Sequence, residues 1–189
     1  MNVFIRRALA PVGAVFLLSA CTPVIVDGYP NIPGNYYEGD FALATPKGAI
    51  MTVVVGDPFA TRSDAFADRV RGLMKNRVGN WPISFVAGQG PNTTPPYKVI
   101  VVFNPGDNAS YKSICQTENQ IPTTANEGGQ VSVLMAFCEG SNFKSGIHGH
   151  VYGVAGQNDP KFVSLVQQVA TDMVPSDGML RHLRMDNSN

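Results

Sequence analysis

A chain of 189 residues with 44% hydrophobic and 15% charged positions is long enough to bury one core and too apolar to be disordered throughout. Fourteen Lys and Arg balance fourteen Asp and Glu, which argues against a basic field that would collect nucleic acid and against an acidic tail. Nineteen Gly and fourteen Pro make the chain loop-rich, but below the level of a low-complexity sequence.

The chain opens with "MNVFIRRALAPVGAVFLLSAC", in which Arg6 and Arg7 precede thirteen uncharged residues, 8–20. A membrane-spanning helix needs about 20 apolar residues, and Pro11 and Gly13 weaken this shorter run further, so it reads as a secretory signal and not as a span. Its exit, Leu18-Ser19-Ala20-Cys21, resembles the lipobox of bacterial lipoproteins. That resemblance covers the first 21 residues only. It implies cleavage after Ala20, acylation of the Cys21 thiol, and attachment to a membrane through acyl methylenes worth about 0.8 kcal/mol each. Thr22 stands where enterobacterial lipoproteins retained at the inner membrane carry Asp, so the resemblance points to the periplasmic face of the outer membrane.

Residues 22–48 contain four prolines and three tyrosines and show no helical period, which predicts an extended tether. Fully stretched, its 27 residues would reach about 90 Å. Tyr36 and Tyr37 within it are expected to pack back on the folded domain, as aromatic groups usually do.

The folded domain is expected over 49–178, with a tail over 179–189. "AIMTVVV" at 49–55 is a β-branched strand closed by Gly56-Asp57-Pro58. Thr61 and Asp64 match a capping pattern, and Phe66, Val70, Leu73 and Met74 share one face of a helix stopped near Gly79. Strands are predicted over 82–88, 97–104 and 130–140, the first two joined by a hairpin loop, "GQGPNTTPP". A weaker strand covers 148–156. Asp159-Pro160 then caps a helix whose apolar face is Phe162, Val166, Val169 and Met173.

This order predicts an α+β fold: a mixed β-sheet of four or five strands with two helices packed on one face, a two-layer sandwich. Several strands are apolar on both sides, however, for example Val99 and Val101 against Ile100 and Val102. The second face therefore needs a cover, from residues 22–48, from the 105–129 segment, or from another protein.

With Cys21 acylated, Cys115 and Cys138 remain, separated by 22 residues in a compartment that permits disulfides. No CxxC spacing accompanies them, so a structural bridge is the expected role. His148 and His150 alternate on one strand and could present two imidazoles to one metal ion, with Glu139 or Asp159 completing the set. Two ligands are too few for a site, so no metal and no cofactor is assigned. His182 in the tail adds nothing to this pair. None of the motifs G-x-S-x-G, S-x-x-K, H-E-x-x-H or G-x-x-x-x-G-K-[ST] is expected to supply an activated serine, water or phosphate, and Gly88-Gln-Gly90 does not open a helix as a phosphate cradle should.

The function that these features suggest is a non-enzymatic lipoprotein of the outer membrane. Its periplasmic domain would bind or support another envelope protein, with no nucleic-acid partner. The alternatives are an envelope hydrolase or metal-dependent enzyme built on His148 and His150, and a purely structural lipoprotein.

Overall fold

A computed structural model describes residues 24–26, 32, 36, 39–79, 81–117, 120–125 and 128–175. The signal segment, Cys21, Tyr37 and the tail over 179–189 lie outside the described residues. In chain order the elements are β1 (Ile25–Val26), α1 (Asp40–Ala44), β2 (Ala49–Val55), α2 (Ser63–Met74), β3 (Ser84–Val86), β4 (Tyr97–Phe103), α3 (Tyr111–Thr117), β5 (Val131–Glu139), β6 (Asn142–Val151) and α4 (Pro160–Asp172). The six strands form one mixed sheet in the order β1-β6-β5-β4-β2-β3. β2 runs parallel to both β3 and β4, and the remaining pairs are antiparallel. The class is α+β, as the sequence predicts, with two strands more than the lower estimate.

Strand alternation sorts β4 and β5 into two sets, and both are buried. On one face Val99, Val101, Phe103, Val133, Met135 and Phe137 join the larger core with the inward residues of α1, α2 and α4. On the other, Ile100, Val102, Leu134, Ala136 and Cys138 meet Ile114 and Cys115 of α3. The two-layer expectation is corrected here: α3 packs on β5 and β6 from the side opposite α2 and α4. The cover comes from the 105–129 segment, one of the three sources considered. It holds a helix where only a loop was expected, and the Cys115–Cys138 bond ties that helix to β5 with 5.7 Å between Cα atoms.

The folded unit also starts earlier than Ala49. β1 pairs with β6, Tyr36 is buried, and α1 buries Phe41 edge-on against Phe137 while Trp81 stacks on its other side. The tether reading missed α1 because five residues are too few to show a period. Tyr36 does pack back on the domain.

Three local expectations change. Segments 82–88 and 97–104 do not form a hairpin, because β2 lies between β3 and β4 and both run parallel to it. Thr61 caps no helix: α2 begins at Ser63 with Arg62 at its N-cap and no side-chain cap, while Thr61 donates its hydroxyl to Asp57 Oδ2 at 2.7 Å. α2 stops at Met74, ahead of Gly79, and Asn76 then turns left-handed with φ 57°. Asp159 does cap α4, accepting from the Lys161 N–H at 2.9 Å with Pro160 in the first turn.

β6 is longer than the strand predicted over 148–156. Its glycines look like loop markers but are thinning devices: a Cβ at Gly146 would lie 2.5 Å from the Tyr111 ring, and one at Gly149 would lie 2.9 Å from Val169 Cγ1. Each lets a helix come down close on the strand, α3 on one side and α4 on the other.

Replacing both Cys115 and Cys138 by Ser should lower stability by about 3 kcal/mol, because the closed loop restrains the unfolded chain. Urea unfolding of native and double-variant protein under non-reducing conditions measures it, and a loss below about 1 kcal/mol would show that α3 stays seated without the bond.

Candidate functional site

The parallel strands β2 and β4 end at the same edge of the sheet, and the irregular backbone gathers there. Beyond Phe103, Asn104 turns left-handed with φ 45°, a conformation asparagine tolerates better than most residues. Its N–H donates to the Ser132 carbonyl at 2.9 Å, its Oδ1 accepts from the Ser132 N–H at 2.9 Å, and its own carbonyl accepts from the Thr124 N–H at 2.8 Å. Because Oδ1 takes an N–H, the amide orientation is settled by chemistry, and Nδ2 faces away from Ser132. Asn104 is 6% exposed, and its Nδ2 is buried with no hydrogen-bond partner among the described residues.

Asn104, Thr124, Ala125, Gln130 and Ser132 line a cavity of about 260 Å³. Among the described residues no charged side chain lines it. Its inventory is one amide donor in want of an acceptor, a second amide and two hydroxyls, which suits a neutral oxygen-bearing group and selects no ion. A cross-strand row continues from it: Ser132 is opposite His150, and His150 is opposite Ile25.

His148 and His150 do project from the same side of β6, with ring centroids 6.2 Å apart, and Tyr152 meets His150 edge-on at 5.4 Å. The acids that might have joined them are committed elsewhere. Glu139 pairs with Lys144 at 3.5 Å, and Asp159 accepts from the N–H groups of Ala155 and Lys161, which hold its carboxyl below the usual range. Among the described residues no group of three or more His, Cys, Asp or Glu comes together to hold a metal ion.

The chain does hold an S-x-x-K match, Ser141-Asn-Phe-Lys144, which corrects the expectation for that motif. Ser141 lies in the exposed turn between β5 and β6, and Lys144 Nζ binds Asp40 Oδ2 at 2.9 Å. Burial works to lower the Lys144 pKa, but the hydrogen bond and charge of Asp40, followed by Glu139, outweigh it and hold the ammonium above the ordinary lysine range. A lysine held protonated cannot serve as a general base, so the motif here is structural. Lys144 is buried because β6 carries one surplus residue. Phe137 pairs with Ser145 and Cys138 with Phe143, leaving Lys144 as the bulge that turns toward Asp40. Tyr97 borders this cluster, its phenol pKa raised by burial and then by Glu139. On the opposite face Lys98 is buried and its pKa is lowered by desolvation.

The sequence matches no family model and no curated protein.

Lys144→Met should cost about 3–5 kcal/mol, since it strands the buried Asp40 carboxylate, and adding Asp40→Asn should restore much of the loss. The stability that Lys144 contributes through its raised pKa is complete at neutral pH and is lost as pH rises through the raised lysine value, because Lys144 binds its proton more tightly folded than unfolded. Urea midpoints of the single and double variants measure the coupling. For the cavity, Asn104→Ala should cost about 2–3 kcal/mol, by orphaning the Ser132 N–H and straining the left-handed turn. Asn104→Gly should recover about 1 kcal/mol of that by relieving the backbone alone, and equal losses for the two would refute the strain assignment.

Proposed function

We propose that this chain is a lipoprotein of the bacterial outer membrane, anchored on the periplasmic face through Cys21, and that its α+β domain is a non-enzymatic binding module for another envelope component. The single observation that carries the reading is the order of residues at the start: two arginines, thirteen uncharged residues ending in Leu18-Ser19-Ala20, then Cys21. Three features support it. Cys115 and Cys138 are bonded, which suits an oxidising compartment outside the cytoplasm. Among the described residues no helix is long and apolar enough to cross a membrane, so attachment would fall to the lipid. The described residues of the Asn104 cavity offer neutral hydrogen-bonding groups, including a buried amide donor, which suits recognition of an uncharged partner.

The component bound at the cavity would present an uncharged acceptor, such as a backbone carbonyl or a sugar hydroxyl, to Asn104 Nδ2.

Mass spectrometry of the protein extracted from bacterial membranes tests the anchor. The expected product begins at Cys21 and carries a diacylglycerol on that sulfur, while Cys21→Ser accumulates as the uncleaved precursor. An unmodified amino terminus, or native precursor left in the cytosol, would overturn the reading.

A further inference from the structure

We infer that the end of the sheet carrying Ile25 and Tyr152 lies directly against the lipid surface, so that the domain is held down on the membrane and not lifted from it. This rests on the lipid anchor proposed at Cys21, and it follows from where the chain joins the sheet.

Ile25 is paired with His150 and Val26 with Gly149. One further step in this antiparallel register sets Val24 beside Val151, and Val24 is itself partly buried against the main core. The chain therefore reaches the sheet at the end of β6 that Tyr152 follows. Only three residue steps lead from the Cys21 position to Val24, a reach of at most about 11 Å. A tether of 27 residues would have allowed about 90 Å, but β1 takes up its slack almost at once.

Two exposed apolar pairs compete for the membrane, and reach decides between them. Ile25 (42% exposed) and Tyr152 (46%) lie at the β1–β6 edge. Leu43 (66%) lies on α1, and Trp81 (40%) stacks on Phe41 of the same helix, which meets Phe137 edge-on. Phe137 lies six residues along β5 from Val131, the partner of Val151, so this second pair is about 20 Å from the end where the chain enters, nearly twice what three residue steps can span. The first pair is the one that the anchored chain holds at the bilayer, because it lies where the chain enters the sheet. Its chemistry suits the headgroup region: an aliphatic side chain, a tyrosine with a polar tip, and Lys161, whose ammonium lies 3.5 Å from the Tyr152 carbonyl.

Trp81 is the sole tryptophan, so fluorescence can read the two pairs separately. The full chain, purified in its acylated form, is reconstituted into phosphatidylethanolamine and phosphatidylglycerol vesicles with and without brominated acyl chains. Trp81 emission of the native chain should be unchanged by bromine. In Tyr152→Trp, a conservative change at an exposed position, the added emission should be mostly lost. Quenching of Trp81 with none at position 152, or quenching at neither, in a chain that is acylated and floats with the vesicles would overturn the orientation while leaving the anchor intact. A chain without acylation that does not float would overturn both.

Discussion

The bond between Cys115 and Cys138 is the constraint on which the sheet's second face depends. Seven residues of helix do not hold together alone in water. α3 persists because one of its buried residues is joined to the middle of the sheet and another, Ile114, is fully enclosed beside Ile100, Val102 and Leu134. With α3 in place both sides of β4 and β5 are dry, and strands of nearly continuous apolar residues become affordable. The helices α2 and α4 then need to cover only the other side, where the phenylalanines Phe66, Phe103 and Phe162 meet within 6 Å of one another.

Much of this was legible in the residues. β2, β4 and β5 are long β-branched runs, α2 and α4 show four apolar positions each at helical spacing, and all eight of those positions are buried. The elements that escaped are those whose identity comes from their neighbours. α1 and α3 are shorter than a readable period, and β1 is a strand only because β6 offers it an edge. The first half of β6 was not predicted, because Gly146 suits a turn equally well in isolation; what demands it is Tyr111 on one side, as Val169 demands Gly149 on the other. The same is true of Thr61, whose hydroxyl had a choice between the helix and Asp57 and took the nearer turn.

The candidate site divides in the same way. His148 and His150 could be placed on one side of a strand from their spacing, and the structure keeps them there. What spacing could not supply was the commitment of Glu139 to Lys144 and of Asp159 to the start of α4. Asn104 gave no signal at all, since an asparagine before a proline reads as ordinary turn chemistry. Its interest lies in Ser132, 28 positions away, which takes up its backbone and Oδ1 and leaves the nitrogen over.

The surplus residue in β6 also governs parity along the β5–β6 hairpin. Ile147 faces the phenylalanine-rich side and Phe143, four positions earlier, faces the disulfide side, where its ring stacks on Tyr111. Unbroken alternation would put both on one side. It would also turn the Lys144 cation into the sulfur-and-aliphatic layer under α3, where no carboxylate waits for it among the residues that layer buries. A single extra amino acid thus keeps a second cation out of the side that already buries Lys98 and hands it to the side where Asp40 lies.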